Sequence, residues 1–147
     1  MKIQATNMDK KVLIIDDEPD VAKYLTEILK DNGYTTYSAD NADIGMEVLE
    51  SIIPDLICLD IMMPMESGIS MYVKIRKDER FKHIPVLIIS GVVQENEYDF
   101  RSYVSDKSIP PPDYFFEKPI SVAKFMKIVD KFTSPDLSNN NRGKQDV

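Results

Sequence analysis

The sequence contains few of the residues on which most catalytic and metal-binding chemistry depends. Of its 147 residues, one is cysteine and one is histidine. The lone cysteine, Cys58, excludes an internal disulfide and offers no cysteine cluster to a metal ion, so we interpret it as a small core residue. The lone histidine, His83, lies in a charged segment with no cysteine or serine nearby to complete a catalytic pair. We expect its ring to be solvated.

Long apolar runs and clustered basic residues are also missing. The longest apolar run is far too short to span a bilayer, and the first residues lack the hydrophobic region of a signal peptide. The net charge is −7, the pI is about 4.7, and no dense basic stripe is present. We therefore expect a cytoplasmic protein that neither inserts into a membrane nor binds nucleic acid directly.

The length and the apolar content predict one domain. A chain of 147 residues with 43% apolar side chains is sufficient for a single core. We expect this domain to span residues 10–132, after an uninformative leader at 1–9. Residues 133–147 are polar and nearly free of large apolar side chains, which predicts a disordered tail.

Strand-like and helix-like segments alternate five times along the domain. The strand-like runs lie at 12–17, 34–39, 55–60, 84–90 and 114–119. Helical spacing of apolar residues follows Pro19, Asp40, Gly68, Val93 and Ser121. Asp40 is a plausible N-cap for the second helix. This alternation predicts an α/β fold of the flavodoxin-like, doubly wound type, with a five-stranded parallel sheet in the order 2-1-3-4-5 and helices on both faces.

Polar residues stand at the ends of four of these apolar runs. They are Asp16, Asp17, Asp60, Ser90 and Lys118. Because the carboxyl ends of parallel strands meet at one edge of the sheet, we expect these side chains to converge. Three carboxylates, a hydroxyl and an ammonium can together hold a divalent cation and accept a phosphoryl group.

At this point the chain resembles the receiver domain of two-component response regulators, from about Lys10 to Phe132. The resemblance depends on four motifs in the family's order: Asp16-Asp17 followed by Glu18-Pro19, the run Asp-Ile-Met-Met-Pro-Met-Glu-Ser-Gly at 60–68, Ser90-Gly91, and Lys118-Pro119. Each motif alone is weak evidence. Together, each at the end of a strand, they are strongly specific.

The resemblance implies a phosphoacceptor and a metal site. Asp60 matches the residue that takes a phosphoryl group from the phosphohistidine of a histidine kinase or a phosphotransfer protein. Asp17, Asp60 and the main-chain carbonyl of Met62 would hold Mg²⁺ or Mn²⁺ directly, and Asp16 would act through a water. Such a domain catalyses its own phosphorylation and dephosphorylation, and it signals by changing its contacts with a downstream protein.

The resemblance also assigns roles to the remaining site residues. Ser90 and Lys118 would contact the phosphoryl group, Gly91 would let the backbone approach it, and the Lys118-Pro119 bond would be cis. Ser90 and Phe115 match the switch positions, although tyrosine is frequent where Phe115 stands. The residues two places after the acceptor and the serine, Met62 and Val92, would limit the access of water to an aspartyl phosphate.

Other interpretations are possible from the residues alone. The acidic pair can cap the first helix, and a serine before a glycine is common in loops. A scaffold on the same fold that needs no phosphorylation is the main alternative, although all the acids are present. A flavodoxin-like carrier lacks support because Asp-Asp-Glu-Pro replaces its phosphate loop, and a phosphohydrolase would show Asp-x-Asp at 60–62. The segment 91–117 is longer than usual for the family, with three prolines at 110–112.

Overall fold

The computed structural model describes residues 10–61, 68–90 and 97–134, together with their side chains except those of residues 97–99. The described residues form five strands and five helices in alternation. The strands are β1 (Lys11–Ile15), β2 (Thr35–Ala39), β3 (Leu56–Asp60), β4 (Val86–Ser90) and β5 (Tyr114–Glu117). The helices are α1 (Pro19–Asp31), α2 (Ala42–Ile52), α3 (Gly68–Lys77), α4 (Glu97–Tyr103) and α5 (Val122–Thr133).

All five strands are parallel and lie in the order β2-β1-β3-β4-β5. The predicted fold is therefore confirmed. Every residue of β3 and β4 is buried, because these central strands are covered on both faces and carry unbroken apolar runs. The edge strand β2 is partly exposed and correspondingly more polar.

Alternation along the strands divides the core into two layers. Val12 and Ile14 of β1 pack with Leu25 of α1 and Phe125 of α5 on one face. Leu13 and Ile15 point to the other face, where the core includes residues of α2, α3 and α4 such as Leu49, Tyr72 and Phe100. The strands carry apolar residues on both faces, and helices cover both faces of the sheet. Among the described residues, no helix has the length and apolar character needed to span a membrane.

The prediction of Asp40 as the N-cap of α2 is wrong. Asn41 is the cap, and its side-chain oxygen accepts a hydrogen bond from the amide of Ile44 at 2.8 Å. The side chain of Asp40 instead accepts a hydrogen bond from the side-chain Nδ2 of Asn41 at 2.9 Å. The helix begins at Ala42, so the residue directly before it satisfies the free amide of the first turn.

Several other element boundaries differ from the sequence prediction by one or two residues, since β1 ends at Ile15, β4 starts at Val86 and β5 ends at Glu117. The strand expected from Tyr34 starts at Thr35, because the Tyr34 amide still bonds the carbonyl of Leu29 at the end of α1. Helix α4 is described from Glu97, and its expected first residues, from Val93, lie outside the described ranges. Residues 135–147 also lie outside them, so the disordered tail stays a prediction, while α5 continues to Thr133.

Candidate functional site

The predicted polar residues occupy the carboxyl ends of neighbouring strands. Asp16 directly follows β1, Asp60 ends β3, Ser90 ends β4 and Lys118 directly follows β5. Hydrogen bonds between main-chain atoms hold these ends in line. The amide of Asp16 donates to the carbonyl of Ala39 at 3.0 Å, and the amide of Lys118 donates to the carbonyl of Ser90 at 2.9 Å. The sheet itself therefore positions the site.

Three carboxylates meet at this edge. Asp16 and Asp60 are 2% and 1% exposed, Asp17 is half-buried, and one carboxylate oxygen from each lies within 4.8 Å of the others. Burial raises the pKa of Asp16 to about 6; the hydrogen bond from the amide of Glu18 opposes this shift, and the neighbouring charge of Asp60 adds to it. Negative charges held this close repel one another, and a bound cation would reduce that repulsion.

The oxygen atoms of this acidic cluster fit a metal ion. Oδ2 of Asp16 is buried and has no hydrogen-bond partner within the described ranges. A buried carboxylate oxygen without a partner is costly unless a ligand satisfies it. Clustered carboxylates are the ligands that hard divalent cations prefer. Asp16, Asp17 and Asp60 thus form an acidic cluster able to hold a metal ion.

Lys118 brings a positive charge to the acidic cluster. Its Nζ lies 3.7 Å from Oδ2 of Asp16 and 3.7 Å from Oδ2 of Asp60, and it forms a closer bond of 2.5 Å to Oε1 of Glu18. Burial alone would lower the pKa of Lys118, but these three carboxylates outweigh that effect and raise it. The Lys118-Pro119 peptide bond is cis, as the resemblance implied.

Glu18 is the site residue that sequence reasoning missed. In the sequence, Glu18 was considered only as part of the motif that follows the acidic pair. Its position directly before Pro19, the first residue of α1, could have indicated a role in the site. Glutamate is not a favoured N-cap residue, so its side chain is available for another contact.

The two predicted switch residues lie on adjacent strands. In the pairing of β4 with β5, Ile88 is opposite Phe115 and Ser90 is opposite Glu117. Ser90 and Phe115 therefore face the same side of the sheet, one pleat apart. Ser90 is buried, and Phe115 is partly buried against the core layer under α2, α3 and α4. Met62, Gly91 and Val92 lie outside the described residues.

Gly68 lies against the main chain at the end of β3. A Cβ atom built on Gly68 would lie 2.3 Å from the carbonyl oxygen of Asp60 and 2.5 Å from Cα of Ile61. Real Cβ contacts are essentially never that short, so the first residue of α3 has to be glycine for the helix to approach this strand end.

A doubly wound parallel sheet with acids, a lysine and a serine at the carboxyl ends of its strands is the arrangement expected of a receiver domain. Family comparison agrees with this class: the model of the response regulator receiver domain matches residues 12–130. The chain belongs to this family of two-component signalling.

Curated relatives place the same domain in larger proteins. The chain is 35% identical over 85 residues to hybrid signal transduction histidine kinase D of Dictyostelium discoideum, covering 58% of this chain and 5% of that protein. It is 33% identical over 105 residues to the DNA-binding dual master transcriptional regulator RpaA of Synechocystis, covering 70% of this chain and 44% of that one. The chain thus spans less than half the length of these relatives.

Solved structures share the fold. The response regulator TrrA of Thermotoga maritima, in complex with Mg(2+)-BeF, is 28% identical with a TM-score of 0.68; the match covers 84% of this chain and 98% of that one.

Proposed function

We propose that this receiver domain accepts a phosphoryl group on Asp60 from a phosphohistidine, with Mg²⁺ or Mn²⁺ as cofactor. The observation that carries the proposal is the setting of Asp60. Its buried carboxylate lies beside two further carboxylates, with the ammonium of Lys118 3.7 Å away. A buried nucleophile, an acidic metal cluster and a cation on one sheet edge suit phosphoryl transfer, which depends mainly on positioning and charge neutralisation.

In the proposed reaction, a carboxylate oxygen of Asp60 attacks the phosphorus. The new O–P bond forms as the N–P bond to the donor imidazole breaks, and the electron pair of that bond returns to the ring nitrogen. Asp16, Asp17 and Asp60, with the main-chain carbonyl of Met62, would hold the cation. When bound, the cation supplies positive charge to the phosphoryl oxygens. Lys118 would neutralise another phosphoryl oxygen, and Ser90 would donate a hydrogen bond.

The comparisons support the choice of donor and cofactor. One relative is a hybrid histidine kinase, and TrrA was solved with magnesium and a fluoride of beryllium. We infer a histidine kinase or a phosphotransfer protein as the phosphoryl donor and a further protein as the recipient of the signal. The acidic composition of the domain disfavours direct contact with nucleic acid.

The signal would pass through Ser90 and Phe115. Once Asp60 carries a phosphoryl group, the Ser90 hydroxyl gains an acceptor that is absent before the transfer, and movement of Ser90 would free space on its face of the sheet. Phe115 faces that side from the adjacent strand and is only partly buried, so it can move inward. Gly91 beside the phosphoryl group, and Met62 and Val92 as barriers to water, remain predictions from the resemblance.

A labelling experiment tests the phosphoacceptor. Wild type, Asp60→Asn and Asp40→Asn are incubated with Mg²⁺ and acetyl phosphate, and intact masses are measured. We expect one added phosphoryl group on the wild type and none on Asp60→Asn. Asp40, an exposed acid at the end of β2, serves as the matched control, and its variant should label like the wild type.

Three outcomes would contradict parts of the proposal. Equal labelling of wild type and Asp60→Asn would exclude Asp60 as the acceptor. No labelling of the wild type by acetyl phosphate or by any phosphohistidine donor would favour a scaffold that works without phosphorylation. Removal of Mg²⁺ with EDTA should abolish labelling, and labelling that persists at the same rate would contradict the cofactor.

A further inference from the structure

Lys118 is bound more closely to Glu18 than to the carboxylates at the centre of the site. Its Nζ is 2.5 Å from Oε1 of Glu18 and 3.7 Å from the nearest oxygens of Asp16 and Asp60. The latter distances allow charge attraction but exceed the length of a hydrogen bond. Glu18 therefore holds the ammonium at the rim of the acidic cluster.

The side chain of Glu18 has no other role among the described residues. It stands at the N-cap of α1 but makes no side-chain capping bond, and it is 58% exposed. Its main chain performs the structural work, since its amide donates to Oδ1 of Asp16 and its carbonyl accepts from the amide of Ala22. The carboxylate can therefore be altered without removing a main-chain contact of the helix.

From this geometry we infer that Glu18 is a positioning residue that competes with the phosphoryl group for Lys118. The inference rests on the proposed function. Before phosphorylation, Glu18 occupies a donor of Lys118 and keeps the ammonium 3.7 Å from Asp16 and Asp60, too far to donate hydrogen bonds to these metal ligands. After transfer to Asp60, the phosphoryl oxygens take the ammonium, and the bond to Glu18 breaks. Glu18 thus favours the metal-binding, unphosphorylated state and weakens the retention of the phosphoryl group.

Two variants separate the hydrogen bond from the charge. Glu18→Gln removes the charge. Glu18→Asp keeps it, but the side chain is one methylene shorter, and aspartate at an N-cap prefers to bond the first-turn amides of its own helix. Asp20→Asn removes an equal charge from an exposed position in the first turn of α1 and serves as the control.

The first measurement is made on metal-free, unphosphorylated protein. The ¹H–¹⁵N signal of the Lys118 ammonium, assigned by its loss in Lys118→Arg, should shift or broaden in both Glu18 variants and stay unchanged in Asp20→Asn. An unchanged signal in Glu18→Asp and Glu18→Gln would show that Glu18 does not hold the lysine in solution, and it would overturn the inference.

The second measurement compares two affinities by calorimetry. At saturating Mg²⁺, beryllofluoride, an anionic analogue of a phosphoryl group, should bind both Glu18 variants about two- to fivefold more tightly than wild type, as expected for loss of a competing exposed ion pair. Mg²⁺ alone should bind them about two- to fivefold more weakly, because the released ammonium pairs with Asp16 and Asp60. Asp20→Asn should match wild type in both.

The outcomes distinguish the two proposals. Failure of the wild type to bind beryllofluoride would contradict the proposed function and with it the competition. Binding by the wild type with equal affinities in both Glu18 variants would contradict the competition alone. If Glu18→Asp matches wild type while Glu18→Gln differs, the effect comes from charge alone, and the competition for Lys118 is likewise contradicted.

Discussion

Gly68 lies against the main chain at the end of β3, where a side chain does not fit without a shift of the strand. A Cβ at this position would come within 2.3 Å of the Asp60 carbonyl oxygen, which is a main-chain atom that cannot rotate away. Glycine is otherwise a poor helix residue, so its presence at the start of α3 is explained by this close approach. The close approach of α3 to the end of β3 thus depends on glycine at this position.

We expect Gly68→Ala to lower the free energy of unfolding by about 1–3 kcal/mol, as overpacking typically does. It should also slow the labelling of Asp60, because the strand end has to shift. Chemical denaturation and intact-mass labelling measure the two effects.

Gly45→Ala is the matched control for this variant. The nearest atoms to a Cβ on Gly45 would be Cδ1 of Ile15 and Cε of Met71, each at 3.0 Å, and Cγ1 of Ile15 at 3.3 Å, all of them in side chains. These atoms can move, and alanine favours the helix, so we expect little loss of stability. A destabilisation as large as that of Gly68→Ala would contradict the explanation from main-chain contact.

Sequence reasoning at the residue scale found the residues whose chemistry is evident from their type and place. Asp16, Asp17, Asp60 and Lys118 each follow or end a strand, and parallel topology brings such residues together. Glu18 was missed because its partner is 100 residues away and the pairing depends on how two loops pack. The function of Gly68 was hidden for a similar reason, since only the packed structure shows what a Cβ would touch.

At the scale of elements, the proline-rich connection between α4 and β5 is held in place by arginine side chains. Arg76 of α3 is 7% exposed and donates to Oδ2 of Asp113, the residue before β5, at 3.1 Å. It also donates to the carbonyl of Ile84, before β4, at 2.8 Å. Arg101 of α4 donates to the carbonyls of Asp106 at 3.0 Å and Ile109 at 2.8 Å. These bonds satisfy main-chain groups that a sheet or helix would otherwise satisfy.

Tyr72 completes this anchoring. Its hydroxyl donates to the carbonyl of Pro110 at 2.6 Å and accepts a hydrogen bond from Nε of Arg76 at 3.1 Å. Burial raises the pKa of Tyr72 to about 12, and the nearby arginine charge opposes the shift. The proline-rich connection is therefore fastened to α3, on the face of the sheet that also carries Phe115.

We expect Arg76→Met to lower the free energy of unfolding by about 2–4 kcal/mol, because it removes the charge that pairs with the partly buried Asp113 and leaves the carbonyls of Lys82 and Ile84 without this donor. The methylene stem is replaced by a side chain of similar length, so packing is largely kept. Urea denaturation gives the stability, and hydrogen exchange should show faster exchange at the amides within residues 104–113, other than the three prolines at 110–112.

Arg80→Met is the control for Arg76→Met. Arg80 forms ion pairs with Asp78 and Glu50, but its side chain is 56% exposed, and exposed pairs contribute little. We expect its stability and the exchange of residues 104–113 to match wild type. Equal effects of the two substitutions would show that Arg76 is not a special anchor.

The elements themselves were largely predictable. Unbroken apolar runs predicted the central strands, and helical spacing predicted α1 and α5, because these patterns reflect burial by the sheet. The conformation of the proline-rich connection was not predictable. Its conformation depends on side chains of α3 and α4 that hydrogen-bond to its main chain. Local sequence propensity does not predict such long-range contacts.

At the scale of the whole molecule, the acidic cluster destabilises the metal-free folded state. The ordinary pKa of Asp16 is 3.8, and burial raises it to about 6 in the folded protein. The folded state therefore holds this proton more tightly than the unfolded chain does. The contribution of Asp16 to stability is fully present below pH 3.8 and is lost as the pH rises to about 6. At neutral pH the metal-free protein contains an ionised, poorly solvated carboxylate.

We expect Asp16→Asn to raise the free energy of unfolding by about 1–3 kcal/mol at pH 7.5 in EDTA, because it removes this buried charge. Asparagine keeps the oxygen that accepts the hydrogen bond from the amide of Glu18. At pH 5.0 the wild-type carboxyl is mostly protonated, so the advantage of the variant should shrink. Urea denaturation at both pH values measures this difference, and an advantage of equal size at pH 5.0 and 7.5 would contradict the assignment to Asp16.

Magnesium should reverse the order of the two proteins at pH 7.5. A cation that binds only the folded state stabilises it by RT ln(1 + [L]/Kd), and the wild type has the complete acidic cluster for it. Wild type should therefore gain stability steadily with Mg²⁺ concentration, whereas Asp16→Asn, which lacks one carboxylate, should gain much less. Thermal unfolding over a magnesium titration tests this, and equal gains for both proteins would mean that Asp16 takes no part in binding the cation.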